Sequence, residues 1–282
     1  MFDQDTANGA AIHAALHSHP QQTPGSRAVI TPLSTASVQL QTAARVQVPE
    51  RLPFTVRLVR NDIELRKAVH IRHAAYARHI PVFAQTLLSP EPHDAEHGVV
   101  VLLAESKLDG SPLGTMRIQT NLFKPLGLEQ SVTLPAWLSA RPLAEATRLG
   151  VTEERIGRLV KSVLFKAFYL YCQRNAIEWM VVTGRFPLDR MYERLLFDEV
   201  YPGMGFVPLS HVGNLPHRIM SLEVAKVEPL WGAARHPLYE FFFHTAHEDI
   251  DVGPSQKTAG PLQSDKVQIS PTVLENIAVK NW

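Results

Sequence analysis

Between Glu153 and Arg174 the apolar residues Ile156, Leu159, Val160, Val163, Leu164, Phe168 and Tyr171 recur at helical spacing. That periodicity predicts a long amphipathic helix in the middle of the chain, with Thr152 placed to serve as its N-cap. Short apolar runs flank it, Leu143 to Val151 before and Ile177 to Thr183 after, each with the length of a strand. Long helix and short strands together restrict the chain to a mixed α/β fold. Upstream, Phe54 to Val59 reads as a strand and Asp62 to His79 as a helix that Pro81 stops. Val99 to Glu105 and Leu113 to Thr120 read as strands joined through Asp109-Gly110, a hairpin signal, so the front half is mostly antiparallel. Pro125, Pro135 and Pro142 mark an irregular stretch. Downstream, Pro187 opens a helix to about Phe197, Gly203-Met204-Gly205-Phe206 makes a turn, His217 to Val224 is a strand and Pro237 to His247 a last helix.

These elements fall in one domain, residues 51–252. The ends, 1–50 and 253–282, hold few large apolar side chains to offset ordering entropy and are expected to be flexible. The formal charge is +1, from 28 basic and 27 acidic residues, so nothing in the whole chain calls for nucleic acid. Cys172 is the one cysteine, which excludes an internal disulfide framework and a Cys-rich zinc site. The longest aliphatic run, Val99 to Ala104, is too short to span a bilayer. With no basic and apolar leader at Met1, the expectation is a soluble, cytoplasmic protein without a transmembrane segment.

Several charges stand where the pattern wants none. On the first helix Leu65, Val69, Arg72 and Tyr76 share a face, so Arg72 should project inward. Arg117 lies in the strand Leu-Gly-Thr-Met-Arg-Ile, and Glu145 and Arg148 lie in Leu-Ala-Glu-Ala-Thr-Arg-Leu-Gly-Val. Buried charge is costly unless paired, so these residues form either a structural ion-pair network or the lining of a cleft. Three arginines face two carboxylates, Glu145 and Asp94, leaving one positive charge for a substrate carboxylate. Glu145 is a candidate proton acceptor for an ammonium group. Strict alternation puts Glu145 and Arg148 on opposite faces, and a bulge near Gly150 is needed to bring both into one site.

Other signals are weaker. His93-Asp-Ala-Glu-His97 has metal-like spacing without a cysteine, and no metal is expected. His244 and Asp249 match an acyltransferase His-x4-Asp pattern without its companion motifs. Cys172 sits on the apolar rim of the long helix, a core position rather than that of a nucleophile.

Glu145-Ala-Thr-Arg148-Leu-Gly-Val resembles a strand of the autoinducer (acyl-homoserine-lactone) synthases and the related N-acyl amino acid synthases. Gly114-Thr-Met-Arg117, Arg72 with Tyr76, and Asp94 resemble three further motifs of that group, in the right order. The resemblance implies a GNAT-like acyltransferase fold, a mixed central sheet flanked by helices. It implies direct attack of an amine on a thioester, with Glu145 as proton acceptor. Arg148 and Arg117 would orient the acceptor, and Arg72 with Asp94 would close over it. Gly150 and Val151 would lie beside the thioester oxygen. Val182 and Thr183 would border the acyl tunnel, and Tyr192 would protonate the thiolate or simply pack. Gly157 and Arg158 lie where ordinary acetyltransferases grip the pyrophosphate of CoA. Glu153 and Glu154 disfavour that grip, so the expected donor is an acyl carrier protein (ACP) thioester, with acyl-CoA the alternative and no permanently bound cofactor. Arg155, Arg158, Lys161 and Lys166 could meet an acidic carrier protein or form a solvated face. The leading expectation is an N-acyl amino acid synthase. An autoinducer synthase using S-adenosylmethionine and a non-catalytic module of the same fold are the alternatives.

Overall fold

The computed structural model describes residues 47–254. Six strands form the body of one sheet: β1 (Phe54–Leu58), β2 (Val99–Ser106), β3 (Pro112–Thr120), β4 (Leu143–Val151), β5 (Trp179–Gly184) and β6 (Leu215–Glu223). They lie side by side in chain order, and every neighbouring pair is antiparallel except β4 with β5, which is parallel. Two short strands extend the edges, Ile250–Asp251 parallel to β1 and Asp198–Glu199 antiparallel to β6. Of the ends expected to be flexible, 1–50 and 253–282, residues 1–46 and 255–282 lie outside the described residues.

Helix α1 (Asp62–Ala77) covers one face of β3 and β4. It starts where expected because the Asn61 side chain accepts from Glu64 N at 3.0 Å, while the Glu64 carboxylate accepts from Arg60 N at 2.7 Å. Two backbone donors near the helix start are thereby satisfied. The long helix α2 (Gly157–Arg174) covers the opposite face, where Val160, Val163, Leu164 and Phe168 share a core with Met116, Ile118, Ala146 and Val182. This is the helical stripe read from the sequence, except that Ile156 precedes the helix and Leu159 is exposed.

Its start differs from the expectation. Thr152 is not the N-cap: its N–H still pairs across the sheet with Leu113 O at 2.8 Å, and residues 153–156 turn before the helix begins. Gly157 is required at that turn, since a Cβ there would lie 2.1 Å from Thr152 O. Helix α3 (Asp189–Arg194) begins two residues after Pro187. The C-terminal region departs most. Helix α4 (Val227–Ala233) was not anticipated, although Val227 and Trp231 are buried at i, i+4 and Pro229 is tolerated in its first turn. Helix α5 (Tyr239–Phe243) is shorter than expected, because Thr245–Ala246 leaves it to pair in parallel with Val48–Pro49.

Candidate active site

Along β3 and β4, Gln119 pairs with Glu145 and Arg117 with Thr147, but Thr115 pairs with Gly150. Met116 therefore faces both Arg148 and Leu149, a bulge in which Arg148 takes φ 54°. This local break turns Arg148 onto the α1 side of the sheet beside Arg117, so the bulge lies two residues before Gly150.

Arg72, Arg117 and Arg148 meet there and are buried, Arg72 completely. The carboxylates facing them are Glu91 and Asp94, both on the loop after α1. Asp94 takes a fork of two bonds from Arg72, each 2.9 Å, and accepts from Glu91 N at 2.9 Å. Glu91 accepts from Arg148 Nε at 2.7 Å and Nη2 at 2.6 Å, from Arg72 at 3.0 Å and from Arg117 at 3.2 Å. Burial alone would raise both carboxyl pKa values. The hydrogen bonds and charges of the arginines outweigh it, Arg148 chiefly for Glu91 and Arg72 chiefly for Asp94, and hold both below the ordinary carboxylate range. Burial and the neighbouring Arg148 lower Arg117, while Glu91 outweighs burial to raise Arg148. Three guanidiniums still face two carboxylates, and Arg148 Nη1 is buried with no hydrogen-bond partner among the described residues.

Glu145 does not join this cluster. It is fully buried, with its carboxylate 3.4 Å from Leu128 N and 3.3 Å from His211 Nε2. Glu91 takes the place that the sequence reading gave Glu145 as counter-charge. The available signal was slight: an acid held between Pro90 and Pro92, three residues before Asp94.

Strands β4 and β5 pair only from Leu143 with Trp179 to Ala146 with Val182, although β4 runs on to Val151. Past that point they separate, and a cavity of about 490 Å³ lies at the split. Arg148, Gly150, Val151, Thr183 and Tyr192 line it, together with Tyr76, Phe83, Phe186, Met191 and Leu215. Gly150 permits the close approach of α1, since a Cβ there would lie 3.2 Å from Arg72 Cα. Burial pushes the Tyr192 hydroxyl well above its ordinary pKa. Of the other expected site residues, Val182 is fully buried in the core, Gly157 packs on Thr152 O, and Arg158 is exposed on α2.

Five cations line the cavity, Arg78, Arg148, Lys161, Arg185 and Arg194, with the imidazoles of His79 and His217 and no aspartate or glutamate. Arg78, Lys161, Arg185 and Arg194 enter no ion pair among the described residues. Burial and Arg194 lower the Lys161 pKa. Lys166, expected on an exposed basic face, is instead buried and donates to Phe241 O and Thr245 O, each at 2.6 Å. Cys172 is core, its thiol pushed up by burial. His244 pairs with Glu240 and Asp249 with Lys107, so the His-x4-Asp pattern does not converge.

No family model and no curated protein matches the sequence. Among solved structures, FeeM, an N-acyl amino acid synthase from uncultured soil microbes, is 19% identical with a TM-score of 0.50, the alignment covering 67% of this chain and 96% of that one. BjaI, a CoA-dependent acyl-homoserine lactone synthase, is 14% identical with a TM-score of 0.48, covering 69% and 93%. LasI, an AHL synthase, is 15% identical with a TM-score of 0.46, covering 61% and 90%. The fold is the GNAT-like acyltransferase fold, a mixed central sheet flanked by helices. The chain shares that fold with FeeM.

Proposed function

We propose that the protein is an N-acyltransferase that moves a fatty acyl group from an ACP thioester to the amine of an amino acid. The observation that carries this reading is the charge of the cleft: five cations line it and no carboxylate does. An amino acid brings a carboxylate and a phosphopantetheine thioester brings a phosphate, and both suit such a wall. S-adenosylmethionine adds a sulfonium cation, which these walls would repel, so the autoinducer reading is disfavoured. The apolar stretch of the cavity, with Phe83, Phe186, Met191 and Leu215, suits an acyl chain.

In this reading the thioester lies along β4 at the split, with backbone amides at the bulge through Val151 polarising its oxygen. Gly150 and Val151 form that wall, Thr183 borders the chain, and Tyr192, kept protonated by burial, is placed to give a proton to the departing sulfur. Arg72, Arg117, Asp94 and Glu91 hold Arg148 in place from behind. Glu145, sealed against Leu128 and His211, does not touch substrate. The exposed acids Glu153 and Glu154 precede the start of α2, which favours ACP over CoA as donor. Such a donor places the reaction in the cytoplasm. No helix among the described residues is long and apolar enough to cross a membrane.

The experiment supplies purified enzyme with acyl-ACP or the matching acyl-CoA, free amino acids and S-adenosylmethionine, and follows products by mass spectrometry. The expected result is N-acyl amino acid, with kcat/KM far higher for acyl-ACP. Methylthioadenosine release without acylated amino acid would overturn the reading in favour of autoinducer synthesis. Equal use of acyl-CoA would overturn the choice of donor.

A further inference from the structure

Amide formation from an ammonium group releases protons, and the cleft wall holds few groups that can take one. No carboxylate lines the cavity, which leaves His79, His217 and Lys161. His79 is exposed near the C-terminal end of α1. Lys161 shares a cationic corner with Arg194 and has no hydrogen bond that fixes its amine among the described residues. His217 differs from both. It is buried on β6, and its Nδ1 lies 2.8 Å from Leu215 O. A carbonyl oxygen can only accept, so Nδ1 carries the hydrogen and the neutral ring keeps its lone pair on Nε2.

We propose that His217 is the general base of this reaction, its Nε2 accepting a proton from the amino group of the acceptor. The inference rests on the N-acyltransferase reading above and names a residue that neither the sequence pattern nor the fold assigns. The titratable and charged groups that face His217 are Arg185 beyond β5, His211 on the turn before β6, and Glu145 on β4. Burial is the largest influence and lowers the His217 pKa; the Leu215 carbonyl and Glu145 oppose it, His211 and Arg185 add to it, and the net direction is down. The ring is therefore neutral and able to accept at physiological pH.

Nε2 takes one proton from the ammonium group and later releases it to solvent. The freed nitrogen bonds to the thioester carbonyl carbon. The C–S bond then breaks, its electron pair leaves with sulfur, and the second proton lost by nitrogen ends on the thiol.

The test measures kcat/KM for amino acid from about pH 5 to pH 9 with the wild-type chain and with His217→Gln. Wild type should lose activity on the acid side through an ionisation below the ordinary imidazole value. The variant should melt like wild type, lose about 10²–10⁴-fold in kcat and lack that ionisation. Should the variant fail to fold, nitrogen NMR of histidine-labelled wild type reads the same claim. The expected signal is a ring protonated on Nδ1 alone at neutral pH, and a ring protonated on Nε2 at pH 7 would overturn the proposal. Product formed by His217→Gln at the wild-type rate with an unchanged pH profile would overturn this inference alone. No acylated product from wild type would remove the reading beneath it as well.

Discussion

Replacing Glu91 by Gln removes one negative charge from a site with three guanidiniums while keeping nearly the same shape. In the native protein Glu91 accepts two bonds from Arg148 and one each from Arg72 and Arg117. After Glu91→Gln, Asp94 alone faces three buried arginines, and the Gln amide turns a donor toward one of them. Removing one partner of a buried charge network costs about 3–5 kcal/mol. The Glu91 side chain is 16% exposed, so water relieves part of the loss, which places it at about 3 kcal/mol. At about 2–4 °C per kcal/mol for a domain of this size, Tm should fall by about 6–12 °C. Calorimetry at neutral pH measures it. The shift should survive about 0.5 M salt, because buried pairs are screened little. Combination with Arg148→Met should be less than additive, since both changes strike the same bonds. A fall of under about 2 °C, or one that salt abolishes, would show that the cluster is a solvated surface network.

Gly157→Ala separates two opposed effects: helix propensity alone predicts a gain of about 1 kcal/mol, whereas the 2.1 Å approach to Thr152 O predicts a net loss, read as a lower denaturant midpoint. A raised midpoint would show that the turn before α2 yields easily. Glu91 and Asp94 have folded pKa values below their unfolded ones, so their stabilisation is present above about pH 4 and is lost as pH falls through the lower folded values. The urea midpoint should therefore drop on going from about pH 5 to pH 3. It should drop less steeply in Glu91→Gln, and parallel profiles for the two proteins would contradict the assignment.

What the sequence determined by itself was the local part. The stripe from Val160 to Tyr171 makes a helix because one face must be buried, and Arg72 faces inward because it shares the face of Val69. Equally readable was that Glu145 and Arg148 could not share a site on a regular strand; the bulge at Arg148 turns that arginine toward Arg117, while Glu145 stays apart against Leu128 and His211. Period and propensity act over a few residues, so such features survive in one dimension. The partners that complete the site do not. Glu91 sits on an aperiodic loop between prolines, and nothing along the chain says that it reaches Arg148, 57 residues away. His217 looked like an ordinary strand residue until β4 and β5 separated and left it on a cavity wall. Likewise Thr152 matched an N-cap by type, but its N–H was already committed to Leu113 across the sheet. Pairing register and the choice of counter-charge depend on which surfaces meet, and only the folded chain, where burial sets the cost of every unpaired group, decides them.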